Sequence, residues 1–291
     1  MIKNTKNDKK LFSKTDCFEL YCGSACDVLN NMKEESVDMI FADPPYMLSN
    51  DGTTCHAGRR VSVNKGGWDK SKGVENDFKF HKEWIESCRK VLKANGTLWI
   101  SGSHHSIYAC GFALQSSGWH ILNDICWYKP NAAPHLACRM FAHSHESLIW
   151  ARKNKSSKHY FNYKLMKNHE LCEDFLKNKE RQMRSVWGIK PDDTISDMWS
   201  VNTPPKSEKL HGKHPAQKPL ALLERIVLSC SEEGATILDP FCGSATTGVA
   251  SLKHGRRFIG IDEEEKYLKE IAKPRLIDIL NQKNSSNNPL I

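Results

Sequence analysis

The sequence predicts an α/β fold on a doubly wound, mostly parallel sheet, and three observations predict it. Strand-like apolar runs alternate with amphipathic helical stretches along most of the chain. The strand runs are continuous apolar blocks rather than alternating ones, as when both faces of a sheet are covered. Three of them stop on an acid, Asp43, Asp239 or Asp262, where loops at the carboxyl ends of parallel strands hold ligands.

Taken in order, FELYCG (Phe18–Gly23) and VDMIFAD (Val37–Asp43) read as buried strands, with a helix from about Asp27 between them. Asn50 to Asn76 is polar and glycine-rich and reads as a long mobile loop. FKFHKEWIESCRKVLKANG is an amphipathic helix closed at Asn95-Gly96, and TLWISG is the next buried strand. A helix to Gly118 and two more strands, ILNDICWYK and ESLIWARK, follow. Periodicity is lost from about Asn154 to Lys213, where lysines alternate with Tyr160, Phe161, Tyr163, Trp187 and Trp199. It resumes as helix PLALLERIVLSCS, strand TILDPF, helix TTGVASLKHG, strand RFIGID and helix EEEKYLKEIAKPRLIDIL.

With 291 residues, 39% hydrophobic and 26% charged, the chain can bury one large core, as a globular protein does. A net charge of +8 suits a polyanionic partner without requiring one. No apolar run reaches membrane-spanning length, the start has no signal-peptide core, and the 11 scattered cysteines suit a reducing compartment, the cytoplasm. The 13 histidines include the pairs His104-His105 and His143-x-His145, which lack further ligands at metal spacing, so no metal is expected.

Two loops carry chemistry. In ILDPFCGSATTG, a strand ends in Asp239, passes Gly243 and Ser244 and enters a helix; glycine admits close approach, and helix-start amides meet polar groups. The next strand ends in Asp262, placed to accept from ribose hydroxyls, and no lysine follows at phosphate-loop spacing, which favours a nucleoside ligand. The second loop is DPPY, Asp43 to Tyr46. Pro44 and Pro45 fix their own φ and carry no N–H, so the backbone is stiff and presents acceptors beside the Asp43 carboxylate and the Tyr46 ring. Such a pocket can accept hydrogen bonds from an amino group while stacking on the ring that bears it.

DPPY followed by DPFCGSATTG resembles the permuted β group of DNA amino-methyltransferases, in which the catalytic motif precedes the cofactor motif. The resemblance runs from about residue 17 to 275 and includes QMRSVW, GKHPAQKPLALLERI and RFIGIDEEEKYL; the small GATC-type adenine enzymes of restriction-modification systems match best. It implies the seven-stranded-type, Rossmann-like fold of S-adenosylmethionine-dependent methyltransferases, with an inserted irregular target-recognition region. It also implies methyl transfer from S-adenosylmethionine to the N6 amine of an adenine flipped out of double-stranded or single-stranded DNA, by a homodimer. Asp43, Pro44, Pro45 and Tyr46 would hold the base. Ser24, Asp43, His214, Lys218, Asp239, Phe241, Cys242, Gly243, Ser244, Ala245, Thr246, Thr247 and Asp262 would hold the cofactor.

The chain departs from the family at Ala245, where a second glycine is usual, at Ser24, where an aspartate is usual, and at Met47, where an asparagine is frequent. The first two predict weak cofactor binding, the Ala245 methyl by narrowing the approach. Candidates for DNA contact are Arg59, Arg60, Lys65 and Trp68 in one loop, Lys129, Arg139 and His143 in another, and Arg184 in the inserted region; Trp127 is equally a core residue. The expected layout is a flexible tail (1–10), the catalytic half (11–153), the target-recognition insertion (154–213), the cofactor half (214–282) and a second tail (283–291). Cytosine-N4 methylation and a catalytically silent DNA-binding relative are the rival readings; relatives of the first kind more often carry serine where Asp43 stands.

Overall fold

The computed structural model describes residues 10–49, 53–56, 59–62, 66–129, 132, 134, 138–167, 185–187 and 204–286. Arg184, Lys65 and Trp199 lie outside them. The elements are β1 (Lys10–Lys14), β2 (Phe18–Cys22), α1 (Ala25–Asn30), β3 (Val37–Ala42), β4 (Thr53–His56), β5 (Arg59–Ser62), α2 (Val74–Val91), β6 (Leu92–Gly102), α3 (Ile107–Ser116), β7 (His120–Tyr128), β8 (His145–Arg152), α4 (Tyr163–Lys167), β9 (Val186–Trp187), α5 (Leu220–Cys230), β10 (Thr236–Asp239), α6 (Thr246–Lys253), β11 (Arg257–Asp262), α7 (Glu265–Tyr267) and α8 (Lys273–Ser286).

One sheet runs β1-β2-β11-β10-β3-β6-β8-β7-β9. The seven central strands, β2 to β7 in that order, are parallel except for β8, which pairs antiparallel with both neighbours. The expected seven-stranded sheet is therefore present, with β1 and β9 added at its edges. Strand β3 shows why both faces are apolar. Ile40 and Ala42 join the core under α1, α2 and α3, while Met39 and Phe41 face α5 and α6 on the other side. A third cluster joins β2 and β11 to α6 and α8 around Phe18, Leu20 and Phe258.

Several boundaries differ from expectation. The α2 helix stops at Val91, not at Asn95-Gly96, because Leu92 is fully buried and pairs with Val37. Register resumes only at Thr97 opposite Met39, so residues 93–96 bulge out. Gly96 is needed for close packing rather than as a helix cap: a Cβ there would meet the Leu92 side chain at 2.6 Å and the Asp38 carbonyl at 2.8 Å. The stretch read as a mobile loop contains the β4-β5 hairpin and the start of α2. The terminal helix runs to Ser286, past the expected tail boundary, and passes a π turn at Leu268–Ala272. Within the inserted region Phe161 packs on Trp150, with ring centroids 5.6 Å apart, so that aromatic belongs to the core.

Candidate active site

The β3 strand ends at Ala42 and delivers Asp43-Pro44-Pro45-Tyr46 to the carboxyl edge of the sheet. What fixes the loop beyond it is a buried acid, Asp69. Its carboxylate accepts from the Tyr46 amide (2.9 Å), the Leu48 amide (3.2 Å) and the Ser49 hydroxyl (2.8 Å). Between those bonds Met47 sits in the left-handed region at φ 58°, a conformation asparagine tolerates better than methionine.

Tyr46 is buried, and its hydroxyl lies 2.9 Å from Asp43 Oδ1, 2.8 Å from Ser101 Oγ and 3.0 Å from Glu146 Oε2. One phenolic proton serves two carboxylates, so it donates to one of them while Ser101 can donate to the phenol oxygen. Burial, then the charges of Asp43 and Glu146, pushes the Tyr46 pKa well above its ordinary value. Lys218 balances the acids. Its Nζ is 2.5 Å from Asp43 Oδ2 and 3.8 Å from Glu146 Oε2, and it stands 5.0 Å from the centroid of the Tyr46 ring. Burial opposes the Lys218 charge, but Asp43 and Glu146 outweigh it and raise its pKa. Burial would likewise raise Glu146; Lys218 and Lys129 reverse that and hold it at about 2.

The second loop follows β10. Asp239 is buried and spends its carboxylate on the loop itself, accepting from the Phe241 amide (3.0 Å) and the Thr247 hydroxyl (2.6 Å). Gly243 is left-handed at φ 48°, and a Cβ there would lie 2.8 Å from the His214 ring, so the loop and the His214 segment already touch. Asp262 at the end of β11 accepts from the Gly243 amide (2.8 Å) and the Glu264 amide (2.9 Å); burial lifts its pKa to about 6. From below, Arg275 donates to the Ser244 carbonyl (2.6 Å) and the Thr246 hydroxyl (3.0 Å).

Both loops open onto one cavity of about 550 Å³. Asp43, Pro44, Pro45, Tyr46, Ser24, His214, Lys218, Asp239, Phe241, Cys242, Gly243, Ser244, Thr246, Thr247 and Asp262 all line it. Ala245 does not. It is fully buried in the apolar cluster around Phe18 and Phe258, so its methyl points away from the cavity and narrows nothing. The cost at Ala245 is conformational, φ 54° at the start of α6. The cavity fits a nucleoside-bearing cofactor: a glycine cradle at Gly243, carboxylate lone pairs at Asp262, and ring faces at Phe241 and Tyr267.

The DNA candidates divide. Trp68 lines the cavity beside Asp69. Arg139 and His143 are exposed, and His143 stacks on His104 with centroids 4.1 Å apart. Lys129 is turned inward, paired with Glu146 and lying 4.4 Å from the Trp127 ring centroid, so it is unsuited to meet phosphate. Trp127 is core. Arg59 and Arg60 lie on β5, and their side chains, with all of Lys65 and Arg184, fall outside the described residues. Sequence reasoning missed Glu146, Asp69, Ser101 and Arg275. A carboxylate opening an otherwise apolar strand, as in HESLIWAR, was the available signal for Glu146.

A family model described as DNA methylase, of the N6/N4 methyltransferase type, matches residues 37–273. The Type II methyltransferase M2.DpnII of Streptococcus pneumoniae is 52% identical over 249 residues, covering 85% of each chain. M2.MboI of Moraxella bovis is 44% identical over 262 residues, covering 90% of this chain and 88% of its own. Among solved structures, the M1.HpyAVI-SAM complex has a TM-score of 0.58 at 27% identity, covering 89% of this chain and 98% of that one. PvuII DNA methyltransferase (cytosine-N4-specific) has a TM-score of 0.64 over 94% and 95%, but at 17% identity it speaks for the fold alone. With the family model spanning most of the chain and relatives 52% and 44% identical along it, the chain belongs to the N6/N4 family of DNA methylases.

Proposed function

We propose that this chain is an S-adenosylmethionine-dependent DNA methyltransferase that methylates the N6 amine of adenine, as the modification partner of a restriction system. The observation that carries the reading is the single cavity shared by Asp43–Tyr46 and by the Gly243 and Asp262 loops. When bound, the cofactor supplies a methyl group made electrophilic by its sulfonium.

The chain's own residues do the rest. Adenine's amine is a poor nucleophile because its lone pair is drawn into the ring. Asp43 would accept from that amine, and this bond strengthens as positive charge develops on nitrogen, so it favours the transition state over the bound ground state. The stiffness of Pro44-Pro45 and the clamp by Asp69 preset that acceptor and so limit reorganisation during reaction. A base inside a duplex cannot reach Asp43; flipping it out costs a few kcal/mol, and stacking on the Tyr46 ring offsets part of this. Asp262 would take ribose hydroxyls, and His214 would close over the Gly243 loop. A homodimer belongs to the same proposal, supported by the exposed Tyr108 and Phe112 on α3.

The test is transfer of labelled methyl to DNA, followed by nucleoside analysis. The expected product is N6-methyl-2′-deoxyadenosine, with label falling by about 10²-fold or more in Asp43→Ala while the variant still folds. Label on cytosine, or none from wild type, would overturn the proposal.

A further inference from the structure

Lys218 stands where two features assigned to the target base converge. Its ammonium is on the Asp43 carboxylate at 2.5 Å, the acceptor that the amine needs, and over the face of the Tyr46 ring, the surface that the purine needs. It is buried, with a side chain about as enclosed as that of Asp43 (10% and 12% exposed). A carboxylate oxygen held this closely by an ammonium is a poor acceptor for a neutral amine until the ammonium moves. Somewhere to move is close at hand: Glu146 Oε2 lies 3.8 Å from the same Nζ, near enough for a small side-chain swing to complete the pair. Glu146 is itself fixed, by Lys129 on one oxygen and by the Tyr46 hydroxyl on the other. Two acids and two ammoniums make the cluster neutral whichever acid Lys218 favours, so the exchange creates no uncompensated buried charge.

We propose that Lys218 is an internal occupant of the target-amine position, holding Asp43 while no base is present and withdrawing onto Glu146 as the base enters. It is a positioning residue, and the idea rests on the reading above that Asp43 receives the amine. After methylation the return of Lys218 to Asp43 would help to eject the product. The occupant also keeps the acceptor charge-paired between turnovers, when an unpaired buried carboxylate would be costly.

The experiment first maps the adenine that wild-type protein methylates, then places 2-aminopurine immediately beside that adenine in a duplex, so that the target keeps its N6 amine and its extrusion unstacks the fluorescent neighbour. Base extrusion is read by fluorescence, and duplex affinity is compared with that of the same duplex carrying an abasic site. S-Adenosylhomocysteine is present throughout, so no turnover occurs. Lys218→Met should raise extrusion and tighten binding of the base-containing duplex relative to the abasic one by about tenfold, the worth of one charge-assisted bond. Lys218→Arg, which keeps the charge and adds a bidentate fork, should lower extrusion, and so should Glu146→Gln, which weakens the second seat. Lys218→Gln provides a polar variant of intermediate effect if the methionine variant is unstable. If Lys218→Met or Lys218→Gln leaves extrusion unchanged or lowers it, the idea fails. A calorimetric loss of cofactor affinity with unchanged extrusion would instead make Lys218 a cofactor residue only. Failure to map any methylated adenine in wild type overturns the functional reading, and this inference with it.

Discussion

Ala245 shows how a substitution read from a motif can be misjudged until its direction is known. In a glycine-rich loop an added methyl suggests a tighter approach to the ligand. Here the residue is fully buried in the apolar cluster that includes Phe18 and Phe258, while the backbone takes a left-handed φ of 54°. Ala245→Gly would relieve about 1 kcal/mol of backbone strain and lose about 0.8 kcal/mol of buried methyl, so stability should scarcely change. Cofactor affinity, measured by calorimetry, should stay within about twofold of wild type, far below the tenfold that 1.4 kcal/mol represents. A clear gain in affinity would mean that the loop itself is distorted. Asp43, Tyr46, Gly243 and Asp262 were legible in the sequence because each ends or follows an apolar run at a strand's carboxyl end. Glu146, Asp69 and the Lys218 partnership were not. They meet the site from β8, from a turn beyond a glycine-rich stretch, and from a segment far along the chain, and only the sheet order brings them together.

At the scale of elements, the Gly243 loop and the end of β11 form one unit, because Asp262 takes an amide from each side. Burial raises Asp262 to about 6, so its carboxylate is ionised at neutral pH and becomes protonated just below. Protonation removes acceptor capacity from a group already serving two amides. Cofactor affinity should therefore weaken about fourfold between pH 7.5 and 5.5, the drop in ionised fraction for a pKa of about 6. Asp262→Asn should bind more weakly and lose that pH dependence; calorimetry at both pH values checks it. Most element boundaries were readable because the strands are apolar blocks and the helices amphipathic. The α2 end was misplaced because Asn95-Gly96 is a strong stop signal that here serves a bulge between β3 and β6. Short edge strands such as β1 carry too little apolar pattern to be found alone: KLFSK is mostly exposed or half-buried.

For the whole molecule, Asp239 couples fold stability to pH. It is buried, and its pKa rises to about 7 from an ordinary 3.8. The folded state therefore keeps a proton that the unfolded chain has already released. Stability should be greatest at low pH as far as this group is concerned, and should fall as pH rises from about 4 to about 7. The loss is on the order of a few kcal/mol, tempered by the Thr247 and Phe241 donors. Asp239→Asn keeps one acceptor, and the Thr247 hydroxyl can turn to accept in its place. Urea melts of that variant at pH 5 and pH 8 should lie closer together than those of wild type; an equal separation would assign the dependence elsewhere.

The strand order has a consequence for biosynthesis. Strands β2 and β3 leave the ribosome early, yet in the finished sheet they are separated by β11 and β10. With strands about 4.8 Å apart, that leaves a slot about 14 Å wide between the two. Until the chain beyond Thr236 is made, the nascent protein has two unpaired apolar edges facing each other across that slot. Joining them directly would close a shorter loop and trap the wrong sheet. Synthesis must thus run past Asp262 before the central sheet can zip, and a chain that terminates short of it lacks the strands that fill the slot.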